Sequence, residues 1–265
     1  MVVRFDEKSG WEYHGELFVL EEDFIVAHIK TDSIKVPDIT DEMITKIRRF
    51  GECYGYLFET EDEFEKLCLV NNAVYCAKDI SGTWHATGAQ FAEPTVFKSL
   101  GMIPMKLDHF KDVFDSPEMN FDDFCVTKAV TTALYLDKNE NLPEGEHDYQ
   151  FVGKVGQFVP IRHGKGGADL LRISNDGTKY SFPSGCKGYK WMEAEVCKSM
   201  GKEGDIDHGY FDKLVDDAKE SISEYGDSDW FLSNKPYIYP EYKDGKPVYP
   251  SEVPWDDRND YIVNK

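Results

Sequence analysis

The stretch at residues 24–36, FIVAHIKTDSIKV, constrains this chain more than any other. Two β-rich arms, residues 24–29 and 34–36, flank the polar group Lys30, Thr31, Asp32 and Ser33. Apolar, β-rich runs on either side of a short polar group predict an antiparallel hairpin. Its tip lifts the Asp32 carboxylate out of the sheet. A hard oxygen ligand at a rigid position suits a Mg²⁺ ion that substrate phosphates also bind. Thr-Asp-Ser is also ordinary turn chemistry, so the tripeptide by itself leaves a purely structural turn open.

Downstream, residues 41–54 read as a helix. Thr40 is its N-cap, Asp41 and Glu42 occupy the first turn, and Met43, Ile44, Ile47 and Phe50 form one apolar face. Arg48 and Arg49 fall off that face as solvated charges. The acidic residues 61–66 read as a short helix or exposed turn. Residues 67–78 read as a strand, and Ser81-Gly82 turns the chain toward residues 83–86. Trp84 and His85 read as packing residues with no metal role.

In this order the elements resemble the end of the palm in family B DNA polymerases, particularly those of tailed bacteriophages. There a strand–turn–strand reading Asp-Thr-Asp-Ser precedes a helix and a strand that bears a Tyr. Lys30-Thr31-Asp32-Ser33 matches the turn, with Lys30 in place of the first Asp. Tyr75 falls where the family places the Tyr of its Lys-x-Tyr primer-binding motif, with Ala73 in place of the Lys. Thr87-Gly88-Ala89-Gln90-Phe91, continuing to Phe97-Lys98, looks like the approach to the thumb.

The resemblance implies that Asp32 is the catalytic metal ligand. It implies that Lys30, Thr31, Ser33, Tyr75, Lys78, Gln90 and Lys98 meet primer or duplex. For Gln90, Phe91 and Lys98, a Phe-rich core segment is an equal alternative. The family's two other palm motifs have no counterpart upstream of Asp32. Phosphoryl transfer by two metals needs carboxylates from separate strands around ions about 3.5–4 Å apart. The expectation is therefore the C-terminal subunit of a split DNA polymerase, inactive alone. A complementary chain would carry the remaining palm, the fingers and the exonuclease. Primer–template DNA, deoxynucleotides and Mg²⁺ would engage through that complex.

Composition sharpens this expectation. The formal charge of −20 speaks against a free-standing DNA binder, because such proteins gain affinity by neutralising phosphates. At 41% hydrophobic and 14% aromatic residues, the chain can still build a real core. The six cysteines show no C-x-x-C pair and read as reduced thiols in a cytoplasmic setting, that of the host cell if the chain is phage-encoded. No apolar run is long enough to span a bilayer and no signal peptide is visible, so a membrane partner is not expected.

The rest of the chain carries weaker signals. Residues 105–137 read as two amphipathic helices, the second with Phe121, Phe124, Cys125, Val130 and Leu134 on its apolar face. The polar stretch 139–148 is the best domain boundary. Residues 149–180 look β-rich. Within them Arg162-His163-Gly164-Lys165-Gly166-Gly167 is either a phosphate-cradling loop or a long hairpin turn, and Arg162, His163, Lys165 and Lys187 are the residues to test there. Residues 187–200 read as a helix with Trp191, Ala194 and Val196 inward. In residues 204–225, Phe211, Leu214, Val215, Ala218, Ile222 and Tyr225 form one helical stripe, which Gly226 ends.

The expected architecture is α+β. Antiparallel palm-type hairpins with packed helices occupy residues 1–100, and a helical thumb-like segment covers 101–145. An accessory α+β domain spans 146–235, and a Pro/Tyr-rich extended tail spans 236–265. Two other functions stay in view. One is a non-catalytic interaction protein or polymerase remnant that binds a partner. The other is an acidic DNA mimic, against which the lack of a regular row of carboxylates counts.

Overall fold

A computed structural model describes residues 2–4, 27–30, 33–71, 73–102, 113–139, 142–143, 146–233, 241–243 and 246–248; for 2–4, 28–30, 241–243 and 246–248 it describes the backbone alone. The chain is α+β, and its strand pairs are antiparallel. Contacts divide it into two units. The first comprises Met1–Phe91 with Ser221–Lys265, and the second Ala92–Glu220.

The first unit opens with strand β1 (Val2–Arg4), followed by β2 (His28–Lys30) and β3 (Ser33–Lys35). The expected hairpin is β2–β3, in the register His28↔Lys35, Ile29↔Ile34 and Lys30↔Ser33. β1 lies on the other side of β3, so β3 is an inner strand and Ser33, Ile34 and Lys35 are all buried. Helix α1 (Asp41–Cys53) starts where the sequence predicts, with the Thr40 hydroxyl accepting from the Met43 N–H at 3.3 Å. Ile47 is buried, and Gly51 is held to glycine because a Cβ there would lie 2.5 Å from the Phe58 ring. Strand β4 (Glu59–Thr60) then pairs with β1 and completes the order β2-β3-β1-β4.

Residues 67–78 are not one strand. β5 (Phe64–Asn71) folds back as β6 (Val74–Asp79), which β7 (Trp84–Thr87) extends into a three-stranded sheet. The reversal comes from Asn71, whose side chain accepts from the Ala73 N–H at 2.9 Å, a local bond that competes with strand continuation. β5 begins inside the segment expected to be a short helix or turn. Only residues 61–63 remain irregular there. The Ser81-Gly82 turn is present as expected, and Asp79 organises it. The Asp79 carboxylate accepts from the Ser81 and Thr83 N–H groups and from the Ser81 hydroxyl, and bonds His85 Nε2 at 2.9 Å. These bonds hold its carboxyl well below the usual range, His85 contributing most. Helix α2 (Ala89–Ala92) follows at the end of this unit, with Phe91 fully buried.

The second unit contains the largest correction. After helix α3 (Pro94–Ser99) and two 3-10 turns, Val113–Asp115 and Phe121–Phe124, the chain enters the long strand β8 (Val126–Asp137). The second thumb-like helix does not exist; residues 103–112, in the first, lie outside the described residues. Val126, Thr127, Val130, Thr131 and Thr132 explain the outcome, because β-branched side chains favour the strand. Helical spacing of Phe121, Phe124 and Leu134 misled because a 3-10 turn and a strand happen to share it.

β8 pairs with β9 (Tyr149–Ile161), so the stretch 139–148 is the turn of one hairpin and no domain boundary. β10 (Asp169–Ile173), β11 (Tyr180–Ser181) and β12 (Lys190–Glu193) complete a sheet in the order β11-β10-β8-β9-β12. An isolated bridge, Ala168↔Trp191, ties the start of β10 back to β12, so the sheet curls on itself. Trp191 is therefore a strand residue. Only Ala194–Ser199 of the helix expected at 187–200 is helical (α4), and Val196 is exposed. Trp191, Phe158, Leu134, Leu170, Ile161 and Phe211 are fully or almost fully buried and form the centre of the core. The Trp191 indole N–H donates to the Cys186 carbonyl at 3.3 Å.

Helix α5 (His208–Ser223) bears the predicted stripe, with Phe211, Val215, Ala218 and Ile222 buried; Tyr225 lies beyond it and is exposed. Helix α6 (Ser228–Leu232) is capped by Asp227, whose carboxylate accepts from the N–H groups of Asp229 and Trp230. In the expected extended tail, β13 (Glu241–Lys243) and β14 (Lys246–Val248) pair as a hairpin.

Candidate functional site

The β2–β3 register sets the site. Lys30 at the end of β2 pairs with Ser33 at the start of β3. Thr31 and Asp32 themselves lie outside the described residues, as does the side chain of Lys30. Ser33 is buried in β3 and carries no surface for DNA. Lys35, one of the residues that sequence reasoning passed over, is also buried, and its ammonium lies 5.2 Å from the centroid of the Tyr75 ring. A cation over an aromatic face is attractive, more so away from water. This contact brings the hairpin and strand β6 together.

Tyr75 sits in β6 opposite Leu69 of β5 and Thr87 of β7. It is half-buried. Its phenol is pushed above the ordinary range by burial first, then by the negative charges of Asp62 and Glu61. The same acids make the approach to Tyr75 unfavourable for phosphate unless another chain supplies positive charge.

Two of the lysines assigned to DNA, Lys78 and Lys98, are used internally. Lys78 is 7% exposed and lies 3.4 Å from the Glu65 carboxylate. It stands directly across from Lys66, which is also buried. Lys98 donates to Asp123 at 2.7 Å and to the Glu118 carbonyl at 2.9 Å. Both ammonium groups are engaged within the fold. Gln90 is half-buried in α2, and its amide donates to the Ser221 hydroxyl. Gly88, just before it, has φ +80°, and a Cβ there would meet Val74 at 2.6 Å; the turn into α2 thus requires glycine.

The basic loop at 162–167 joins β9 to β10. Gly164 and Gly166 take positive φ values of 77° and 91°, as a tight turn demands. Its cations face acids and carbonyls. Arg162 donates to the Gly204 carbonyl and, at 3.3 Å, to Asp205. Lys165 lies 3.8 Å from the same carboxylate, and His163 Nε2 lies 3.3 Å from the Gly188 carbonyl. Asp205 competes with any phosphate for Arg162 and Lys165. Arg162 also lines a cleft of about 540 Å³ together with Phe121, Glu203, Asp207 and His208. Lys187 is exposed between β11 and β12.

Among the described residues no group of three or more His, Cys, Asp or Glu side chains could hold a metal ion. Likewise, no helix among them is long and apolar enough to cross a membrane. No protein-family model and no curated protein matches the chain.

Proposed function

We propose that this chain is the C-terminal part of a split family B-type DNA polymerase, supplying one acidic residue and one primer-side aromatic to a site that a second chain completes. The observation that carries the reading is the coupling of two elements. The β2–β3 hairpin, in whose sequence Asp32 falls, approaches through Lys35 the strand that carries Tyr75. Hairpin, helix α1 and the Tyr75 strand follow in the order of the family's palm. Asp32 would be this chain's ligand to Mg²⁺, an ion that neutralises charge on the phosphates in nucleotidyl transfer. Tyr75, anchored by Lys35, presents its half-buried ring to the primer strand. With Lys78 and Lys98 engaged internally, the positive groove comes from the completing chain, in keeping with the charge of −20.

A second reading, a non-catalytic subunit that binds a partner, is favoured by those same ion pairs, which engage Lys78 and Lys98 within the fold. Primer extension separates the two. The chain would be assayed with Mg²⁺ alone, then co-expressed with a chain from the same genome bearing the two missing palm motifs, then as Asp32→Ala in that mixture. Extension confined to the mixture and abolished by Asp32→Ala is the expected result. A tight complex that extends primers equally well without Asp32 would leave only the structural role.

A further inference from the structure

The three-stranded sheet of the first unit carries two cysteines that the polymerase reading does not use. Cys68 of β5 and Cys76 of β6 stand directly opposite each other in the antiparallel register. Side chains alternate along a strand, so the pair shares its face with Lys66 and Lys78, which oppose each other two residues further along. All four are buried, Cys68 keeping 3% of its surface and Cys76 none. Directly opposed residues hold their Cβ atoms about 4.5–5.5 Å apart and a disulfide needs about 3.5–4.5 Å, so a slide of about 1 Å joins the sulfurs. The ladder is irregular on both sides of the pair, between Phe64 and Lys66 and between Leu69 and Asn71, which gives the hairpin room to adjust.

The chemistry of this pair differs from that of the cysteines in the second unit. A hydrogen bond from the Cys76 thiol lowers the pKa of Cys68 against the opposing effect of burial. The same bond, with burial, raises that of Cys76. One sulfur is thus disposed to lose its proton and the other to keep it, as an attacking and a resolving thiol do. Cys125, Cys186 and Cys197 are all pushed up, by burial first, with Asp122 adding to the rise at Cys125 and Glu203 at Cys197. Burial also selects the oxidant. The small exposed surface of Cys68 suits hydrogen peroxide, scarcely larger than water, over a bulky disulfide.

We propose that Cys68 and Cys76 are a redox pair that hydrogen peroxide converts into a disulfide across β5 and β6. The Cys68 thiolate attacks one peroxide oxygen and the O–O bond breaks, giving Cys68 sulfenic acid and hydroxide, which takes up the proton that Cys68 lost. The Cys76 sulfur then attacks the Cys68 sulfur and the S–O bond breaks. The displaced hydroxide leaves as water with the Cys76 proton. Two thiols are oxidised, and one peroxide is reduced to two waters. The inference goes beyond the polymerase reading and does not depend on Asp32.

Mass spectrometry of the full chain tests it. Trypsin cuts after Lys66 and Lys78, so residues 67–78 leave as one peptide that holds both cysteines. The chain is treated briefly with dilute hydrogen peroxide, and the remaining thiols are alkylated in denaturant. The 67–78 peptide should then carry no alkyl group and be lighter by the two thiol hydrogens, while Cys125, Cys186 and Cys197 stay alkylated. Dithiothreitol before alkylation should restore both of its alkyl groups. Cys76→Ser should leave a sulfenic acid at Cys68 that dimedone traps. Thermal melting monitors folding of that variant, and should it unfold, the wild-type peptide decides. A 67–78 peptide that keeps both alkyl groups after the exposed Cys53 is oxidised would overturn the inference. So would a disulfide between two copies of that peptide, or equally fast oxidation of the cysteines in the second unit.

Discussion

The two main sheets of this chain are anchored by opposite means. In the second unit the five-stranded sheet closes over an apolar centre, with Trp191, Phe158, Leu134 and Leu170 almost wholly withdrawn from water. In the first unit the three-stranded sheet holds a segment far along the chain through a buried cation. The Lys66 ammonium donates to the carbonyls of Trp230, Phe231 and Ser233 at 2.9, 3.2 and 2.9 Å and lies 4.4 Å from the centre of the Trp230 ring. Those carbonyls lie at the end of helix α6, where Trp230 O also accepts from the Ser233 N–H and hydroxyl. Apolar burial is non-directional and tolerates shape errors, whereas a lysine among carbonyls fixes one geometry and answers to pH. The comparison teaches that a lysine's value in this chain is decided by where its strand lies. Lys66, Lys78 and Lys98 all act as internal fasteners.

The contrast can be broken first at its apolar end. Trp191→Ala removes a ring that is 1% exposed and takes from the Cys186 carbonyl one donor, leaving it the Tyr189 N–H. A loss of about 4 kcal/mol is expected, read as a lowered urea midpoint, because the curled sheet cannot collapse into the space. A loss below about 1 kcal/mol would mean that the second unit does not depend on this centre.

The cationic end should yield less at neutral pH and reveal itself by titration. Lys66→Met removes a donor that three carbonyls share, while Trp230 O keeps the Ser233 hydroxyl and N–H, and relief of the buried ammonium offsets part of that cost. A net loss of about 2 kcal/mol is expected. Burial pulls the Lys66 pKa down from 10.5 to about 8, with Lys78 adding to the fall and Glu65 opposing it. A depressed amine holds fewer protons in the folded chain than in the unfolded chain between those two values. Stability carried by this group therefore rises with pH from about 8 toward 10.5. Urea melts across that window should show the rise in wild type and its absence in Lys66→Met; the same slope in both would remove Lys66 as its source.

The smallest effect tests the part that neither anchor controls. Thr40→Ala removes the hydroxyl that accepts from Met43 at the start of α1 and should cost about 1 kcal/mol, with Thr40→Ser close to wild type. Circular dichroism during chemical unfolding measures both.

Much of this chain was legible from neighbouring residues. The Lys30↔Ser33 hairpin, the Thr40 cap, the Ser81-Gly82 turn and the stripe on α5 all rest on local chemistry, that is, on turn residues, a capping hydroxyl and a 3.6-residue period. They fail to reach further because periodicity is short of information over a few residues. The spacing that Phe121, Phe124 and Leu134 share with a helix lies over a 3-10 turn and a strand, and the boundary imagined at 139–148 is a hairpin turn.

The fates of the charges belonged to the tertiary structure alone. In sequence, Lys78 and Lys98 look like any surface lysines, and nothing near Lys66 announces carbonyls more than 160 residues away. Burial and ion pairing depend on what the rest of the chain brings to a position, and local pattern does not encode that. An aromatic face on the second unit's sheet has the same origin. Tyr135, Tyr149, Phe151 and Tyr180 lie on three strands, β8, β9 and β11, and only strand order and register put their rings on one surface. What the sequence determined was which short segments turn, coil or extend. What the fold decided was which side chains remain available to a ligand.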